Sequence, residues 1–168
     1  MGQNVGTPGA PGPTPISRRQ LDDLRAAALT GRELGWRPYS KFPVGAAVLT
    51  IDNKIYGGVG NVECANYTLT KHAEETAVLA AIAGGALLGS QGGAKKNRKF
   101  IRAVYLATTE EKEITPCGGC RQFMWEFADH SAVVIIELFG GGEETVPLVK
   151  LMPKPFGPET LGISDDGT

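Results

Sequence analysis

Residues 101–138 read IRAVYLATTEEKEITPCGGCRQFMWEFADHSAVVIIEL, a stretch with an apolar run at each end and a helical pattern between them. The runs at 101–107 and 133–138 are predicted strands, because both are short and rich in β-branched and other apolar side chains. Pro116 introduces a helix predicted over residues 117–129. A helix that joins two strands of one sheet makes a right-handed crossover, so these two strands are expected to lie parallel.

The rest of the chain supplies further strands and helices around this unit. Two more helices are predicted, one from Ser17, which forms a capping-box pattern with Gln20, and one with Thr70 as its N-cap. The remaining predicted strands cover residues 44–51, 54–59 and 145–148. The first of these shows little alternation, as expected for a strand that is buried on both faces. Together the elements predict an α/β fold in which helices cover a mixed five-stranded sheet.

Length and charge limit the kinds of protein that this chain can be. Its 168 residues fit one domain, expected over residues 17–168, after a disordered Gly- and Pro-rich tail at 1–16. Residues 84–99, with five Gly and four Lys or Arg, are predicted to be a flexible connection. The formal net charge of −1 argues against a nucleic-acid partner, and no apolar stretch predicts a membrane segment.

Two short segments carry the chemistry: His72-Ala73-Glu74 and Pro116-Cys117-Gly118-Gly119-Cys120. The pattern H-x-E followed by P-C-x-x-C supplies one imidazole and two thiolates, a ligand set that suits Zn²⁺. Three protein ligands leave a fourth position on a tetrahedral ion open to water. Glu74 stands next to these ligands without being one of them, so it is the candidate general acid and base.

The cysteines leave other interpretations open. Cys117 and Cys120 could form a redox pair or a disulfide, although the distant His-x-Glu segment would then have no role. A structural zinc site would require a fourth protein ligand, for which Cys64 and His130 are the candidates. The odd count of three cysteines fits a reducing compartment, and no signal peptide is recognised, so a cytoplasmic location is expected.

Around these segments the chain resembles the cytidine deaminase family of free-nucleoside deaminases, over about residues 17–163. The H-x-E … P-C-x-x-C signature is that of zinc-dependent nucleobase deaminases in general. Five ordered pieces make the resemblance specific: Tyr39-Ser40-Lys41-Phe42-Pro43-Val44-Gly45-Ala46-Ala47, Asn61-Val62-Glu63, Thr70-Lys71-His72-Ala73-Glu74, Pro116-Cys117-Gly118-Gly119-Cys120-Arg121-Gln122, and Leu151-Met152-Pro153 with Phe156-Gly157-Pro158.

The resemblance implies a fold, a cofactor and a reaction. The fold is a three-layer α/β/α arrangement, and the cofactor is one Zn²⁺ per subunit. The reaction is the hydrolytic deamination of cytidine and 2′-deoxycytidine to uridine and 2′-deoxyuridine, with release of ammonia, in pyrimidine salvage. By the same resemblance, His72, Cys117 and Cys120 hold the metal and Glu74 is the catalytic residue.

Substrate-binding roles are implied for six residues: Phe42, Asn61, Glu63, Tyr67, Ala73 and Phe156. Asn61 and Glu63 would hydrogen-bond the 3′-hydroxyl of the sugar, since an amide and a carboxylate together satisfy a hydroxyl. Phe42 would line the pyrimidine pocket, and backbone groups near Ala73 and Thr115 would contact the base edge. Phe156 would cover the base from a neighbouring subunit, and Tyr67 would reach toward a neighbouring site. The two phenylalanines could instead belong to the core.

The chain departs from the common small, tetrameric form of the family at one place. That form has Cys-Ala-Glu-Arg where this chain has His72-Ala73-Glu74-Glu75. Zn²⁺ with three thiolates carries a net charge of −1, whereas Zn²⁺ with two thiolates and a neutral imidazole carries none. An arginine that offsets the extra charge is therefore unnecessary here. The His-x-Glu version is typical of the larger dimeric enzymes, but the length of this chain favours a homotetramer.

Other functions remain as alternatives. A deaminase for a modified cytosine nucleoside, such as blasticidin S, would use the same metal site. A polynucleotide deaminase would require a basic channel with aromatic side chains. The basic cluster of Lys95, Lys96, Arg98 and Lys99 lacks such aromatics and is interpreted as a solvated surface. A zinc-stabilised interaction module is the non-enzymatic alternative.

Overall fold

Five strands form one mixed sheet in the computed structural model, which describes residues 15–88, 99–108 and 114–163. The strand order is β2-β1-β3-β4-β5. The strands are β1 Gly45–Thr50, β2 Ile55–Gly57, β3 Ile101–Ala107, β4 Ala128–Glu137 and β5 Glu143–Pro147. The helices are α1 Arg18–Leu34, α2 Ala73–Ala83, α3 Gly118–Phe127 and α4 Leu148–Leu151, with short 3₁₀ helices at Tyr67–Leu69, Ala86–Leu88 and Pro158–Leu161.

The crossover predicted from residues 101–138 is confirmed. β3 and β4 pair in parallel, with Tyr105 opposite Ile135, and α3 connects them. Every other pair in the sheet is antiparallel. All six residues of β1 are buried, as its lack of alternation predicted, because helices cover both faces of the sheet.

The helices divide between the two faces of the sheet, and the three-layer arrangement is thereby confirmed. On one face α1 inserts Leu24 and Ala28 against Ala47 and Tyr105. On the other face α2, α3 and α4 pack on a larger cluster that contains Val48, Leu106 and Met124. The functional segments described below all belong to this second face or to the loops at its edge.

Gly45 sets how closely α1 approaches the sheet. A Cβ atom added at this position would lie 2.0 Å from the carbonyl oxygen of Ala28 in α1. Only a residue without a side chain permits this contact, so the first residue of β1 is glycine for steric reasons. The close approach lets α1 bury Leu24 fully against the sheet.

Three predicted boundaries, the start of α2, the end of α3 and the start of β4, are wrong because contacts outside the local pattern determine them. Thr70 does not cap α2: its hydroxyl accepts a hydrogen bond from the backbone N–H of Cys64 at 3.1 Å, and the helix has His72 as its N-cap. The helix predicted to reach residue 129 ends at Phe127, since Ala128 already pairs with Ile101 of β3. β4 therefore begins five residues before the predicted strand.

Parts of two predicted segments lie outside the described residues, namely positions 1–14 of the tail and 89–98 of the connection. Ile16, at the end of the predicted tail, packs against the cluster around Leu24. Within the described part of the chain, no helix combines the length and the apolar character that are needed to cross a membrane.

Candidate metal centre and active site

Three donor atoms from distant parts of the chain meet at one point. Nδ1 of His72 lies 3.2 Å from Sγ of Cys120 and 3.4 Å from Sγ of Cys117, and the two sulfur atoms are 3.5 Å apart. Among the described residues this is the one group of three or more His, Cys, Asp or Glu side chains that is placed to hold a metal ion. The predicted ligands are therefore brought together, with Nδ1 as the converging atom of the imidazole.

Two helix N-termini produce this convergence. His72 is the N-cap of α2 and Cys117 is the N-cap of α3, and both have extended backbone dihedral angles. Cys120 lies three residues after Cys117, in the first turn of α3, so that both sulfur atoms face the same side. The positive end of a helix dipole favours thiolate, the form in which cysteine binds metals.

The donor set fits zinc. One imidazole nitrogen and two sulfur atoms, separated by 3.2 to 3.5 Å, can surround an ion at the usual Zn–N and Zn–S distances of about 2.0–2.3 Å. The sulfur separation is far above the roughly 2.05 Å of a disulfide, and all three cysteines are free. Neither Cys64 nor His130 belongs to the cluster; His130 instead packs against Trp125. A fourth protein ligand is thus missing from the described residues.

Glu74 lies beside this cluster, in a buried position. Glu74 is 5 % exposed, and its carboxylate interacts electrostatically with the neighbouring thiol of Cys120. Burial raises the pKa of the Glu74 carboxyl. Burial also raises the pKa of the Cys120 thiol, and the negative charge of the nearby Glu74 carboxylate raises it further. A divalent cation changes this balance, because a coordinating thiol is deprotonated outright. The arrangement places a protonatable carboxyl next to the candidate metal without using it as a ligand.

Asn61 bridges two parts of the site through its side-chain amide. Its Oδ1 accepts a hydrogen bond of 2.9 Å from the backbone N–H of Ala73, at the start of α2, and its Nδ2 donates to the carbonyl oxygen of Phe42 at 3.5 Å. Ala73 is fully buried, and Phe42 is half-buried against the core on the same face of the sheet. Asn61 thereby joins the loop that carries Phe42 to the helix that carries Glu74.

Glu63 is held by the loop at Tyr39 and Ser40. Its Oε2 accepts hydrogen bonds from the backbone N–H groups of Tyr39 at 2.9 Å and Ser40 at 3.1 Å, and its Oε1 accepts a short bond from the Ser40 hydroxyl. These bonds, led by that of the Ser40 hydroxyl, hold the pKa of Glu63 below its ordinary value. Because Glu63 is only 9 % exposed, these bonds offset the cost of burying its charge.

The two remaining aromatic residues of the predicted site are exposed. Tyr67 is 74 % exposed and makes an edge-to-face contact with Tyr39, with ring centroids 5.9 Å apart. Phe156 is 59 % exposed, and its carbonyl oxygen accepts a hydrogen bond from Nε2 of Gln122 at 2.7 Å. Neither ring belongs to the core of this chain, which removes the interpretation of Phe156 as a core residue.

Two cavities open next to the metal cluster and share His72. One, of about 410 Å³, is lined by the three candidate ligands together with Glu75, Gln122 and Phe123, among others. The other, of about 390 Å³, is lined by Glu63, Ser40, Tyr39, Tyr67, Thr70 and His72. The second cavity therefore joins the metal cluster to the carboxylate that was predicted to bind the sugar.

Three residues have a structural part in the site that the sequence analysis did not assign to them. Ser40 contacts Glu63, as described, and Glu75 accepts a hydrogen bond from the backbone N–H of His72 at 2.9 Å. The guanidinium of Arg121 donates to the carbonyl oxygens of Pro116 at 2.7 Å and Leu151 at 3.0 Å. The capping-box spacing between positions 72 and 75 could have indicated the role of Glu75. It is difficult to recognise because His is an unusual N-cap.

The basic cluster considered for polynucleotide binding loses one of its members. Lys99 is buried, with 6 % exposed, and its Nζ donates to the carbonyl oxygen of Trp125 at 3.1 Å while lying over the indole ring. A lysine in this position is a packing element and does not contribute to a basic surface. Lys95, Lys96 and Arg98 lie outside the described residues.

Known proteins are similar to this chain in sequence and in fold. Residues 19–137 match the family model described as the cytidine and deoxycytidylate deaminase zinc-binding region. A cytidine deaminase of Sporosarcina psychrophila is 36 % identical over 141 residues, which cover 84 % of this chain and 94 % of that protein. One of Vibrio cholerae is 33 % identical over 151 residues, 88 % of this chain and 44 % of that longer protein.

Solved structures agree with the sequence comparison. The crystal structure of cytidine deaminase from Burkholderia pseudomallei superimposes with a TM-score of 0.67 at 32 % sequence identity, covering 84 % of this chain and 100 % of that one. That of cytidine deaminase from Mycobacterium leprae gives a TM-score of 0.60 at 32 % identity.

Proposed function

This chain belongs to the family of cytidine and deoxycytidylate deaminases defined by that zinc-binding region, and on this premise we propose that it hydrolyses cytidine and 2′-deoxycytidine to uridine and 2′-deoxyuridine. Ammonia is the second product. The observation that carries the proposal is the convergence of His72, Cys117 and Cys120 beside the buried carboxyl of Glu74. The relatives are named for cytidine, so a modified nucleoside is not favoured as the main substrate.

In the proposed reaction, water adds to C4 of the pyrimidine and the amino group leaves from the same carbon. Glu74 takes a proton from the attacking water, delivers it to N3, and then transfers the second proton to the departing amine. Zinc held by His72, Cys117 and Cys120 supplies the Lewis-acid activation that lets this water react near neutral pH. The burial of Glu74 keeps the proton transfers away from bulk solvent.

Recognition of the nucleoside is proposed to come from Glu63, which lines the second cavity, and from the neighbouring residues that Asn61 connects. Asn61 and Glu63 hydrogen-bond the 3′-hydroxyl of the sugar, while Phe42 contacts the pyrimidine and backbone groups near Ala73 and Thr115 contact the base edge. The support is that Asn61 contacts both Phe42 and Ala73, and that Glu63 lines a cavity together with His72.

The proposal extends to assembly and location. We propose that the active enzyme is a homotetramer in which Tyr67 and Phe156 act across subunits. The large exposure of both rings supports this proposal. A cytoplasmic role in pyrimidine salvage is part of the proposal, because two free thiols as metal ligands suit a reducing compartment. Light scattering after size-exclusion chromatography tests the tetramer against a dimer.

The test of the function is ammonia release from cytosine, cytidine, 2′-deoxycytidine, CMP and blasticidin S, with the zinc content of the same sample measured. Cytidine and 2′-deoxycytidine are expected to be the best substrates, with about one zinc ion per chain. Full activity after exhaustive chelation contradicts the metal assignment. Turnover of free cytosine at the rate of cytidine contradicts a sugar-binding site.

A further inference from the structure

We propose that Ser40 is a positioning residue that holds the Glu63 carboxylate in the orientation needed to accept a hydrogen bond from the 3′-hydroxyl of the nucleoside. The inference rests on the proposed function, and it assigns a role to a residue that neither the metal motif nor the sugar-binding pair includes. Ser40 and Glu63 are 23 residues apart in sequence and line the same cavity as His72.

The first step is a count of the lone pairs on Glu63. An ionised carboxylate offers about four acceptor sites, two on each oxygen. The N–H groups of Tyr39 and Ser40 occupy Oε2, and the hydroxyl of Ser40 occupies one site on Oε1. Within the described residues, one acceptor site therefore remains, and it belongs to Oε1. The oxygen that is available to a substrate hydroxyl is the one that Ser40 already contacts.

The second step concerns the direction of the Ser40 hydroxyl. Its Oγ also accepts a hydrogen bond of 3.0 Å from the backbone N–H of Phe42. An ionised carboxylate can only accept, so the hydroxyl hydrogen points toward Glu63 while a lone pair of Oγ accepts from Phe42. The hydroxyl thus joins the carboxylate at the sugar end of the cavity to the backbone of Phe42, the residue proposed to contact the pyrimidine.

The third step is the shape of the loop. Lys41, between Ser40 and Phe42, has a φ of 56°, and its N–H donates to the carbonyl oxygen of Arg37 at 3.2 Å. A residue other than glycine is strained in this left-handed backbone conformation and keeps it only where surrounding contacts fix it. The two bonds from Ser40 to Glu63 are such contacts, so the loop and the carboxylate fix each other.

The experiment compares two substrates in four proteins: the parent, Ser40→Ala, Ser40→Thr and the control Ser131→Ala. Ser131 makes an equivalent local hydroxyl bond to Asp129 away from the cavity. With cytidine, Ser40→Ala is expected to lower kcat/KM about tenfold, mainly through KM, as for the loss of a hydrogen bond to a charged group. With 3′-deoxycytidine the same substitution is expected to cost about twofold or less. Ser40→Thr keeps a hydroxyl and is expected to retain most of the activity. Ser131→Ala is expected to leave kcat/KM unchanged with both substrates.

An equal loss of kcat/KM on both substrates in Ser40→Ala overturns the inference, because Ser40 would then affect the enzyme as a whole. An unchanged kcat/KM with cytidine overturns it as well. Should Ser40→Ala not fold, Ser40→Cys, which retains the size of the side chain with a weak donor, is subjected to the same substrate comparison. A parent that releases no ammonia from any nucleoside refutes the proposed function and the inference with it. If the parent deaminates cytidine, the proposed function stands, and the Ser40 variants then test the positioning role alone.

Discussion

The backbone N–H of His72 donates a hydrogen bond of 2.9 Å to the side chain of Glu75, three residues further along the chain. By the resemblance drawn from the sequence, Glu75 stands where the small tetrameric form of the family has an arginine. In this chain the residue caps α2 and fixes the backbone of a candidate metal ligand. Lys71 pairs with the same carboxylate at 3.3 Å, so the charge of Glu75 has a partner of opposite sign.

Glu75→Ala is expected to destabilise the start of α2 by about 1 kcal/mol, as for the loss of a helix cap. Zinc is expected to dissociate faster, because His72 is held less firmly. Glu75→Gln keeps the acceptor oxygen and is expected to stay close to the parent. Thermal unfolding with and without zinc, together with the rate of zinc transfer to a chelator, measures both effects; equal behaviour of the two variants contradicts a capping role.

Removal of a candidate ligand is expected to remove the metal. His72→Ala, Cys117→Ala and Cys120→Ala should each reduce the zinc content from about one ion per chain to nearly none, with loss of ammonia release. Each variant retains only two donors, which bind zinc weakly. Cys64→Ala is the matched control, since Cys64 lies outside the cluster. Normal zinc content in all three variants refutes the ligand assignment.

Glu74→Gln is expected to retain zinc and fold but to lose turnover by about 10²- to 10⁴-fold, the usual contribution of general acid–base catalysis. The amide has the shape of the carboxyl but cannot carry the proton. Glu144→Gln, at an exposed position in β5, controls for the loss of a negative charge. Circular dichroism and metal analysis establish that the fold and the ion are intact, and activity near that of the parent would exclude Glu74 as the proton carrier.

Asn61→Ala is expected to reduce the free energy of unfolding by about 1–3 kcal/mol, because the buried N–H of Ala73 loses its acceptor. Asn61→Asp keeps an acceptor oxygen for Ala73 and loses the donor to Phe42, so it is expected to be more stable than Asn61→Ala. Denaturant unfolding compares the two variants. Both should have a higher KM for cytidine; an alanine variant as stable as the aspartate variant would show that the bond to Ala73 contributes little.

The lowered pKa of Glu63 predicts how stability depends on pH. A carboxyl whose pKa is lower in the folded than in the unfolded state stabilises the fold above its ordinary value of 4.5 and loses this contribution as the pH falls through the folded-state pKa. The difference in free energy of unfolding between the parent and Glu63→Gln should therefore be largest above pH 4.5 and shrink at lower pH. A difference that is independent of pH would contradict an ionised Glu63 in the folded state.

Much of the fold follows from local sequence patterns. The apolar runs at 101–107 and 44–51 predict strands, because burial on two faces requires short uninterrupted apolar segments. The capping-box pattern of Ser17 and Gln20 predicts the start of α1, and both of its hydrogen bonds are present. The boundaries at Thr70 and at residue 129 were wrong, because strand pairing and a bond to Cys64 determine them and no local pattern records either contact.

Residue types and their spacing were enough to predict the chemistry of the candidate site: one imidazole, two thiolates and a carboxyl near helix starts. The contacts that hold these groups in place became visible in the folded chain. Ser40 contacts Glu63 across 23 residues, and Arg121 contacts Leu151 across 30. Ligand type is a property of single side chains and is readable in the sequence. Contacts between loops depend on how helices and sheet pack, and this is fixed by burial summed over the whole chain.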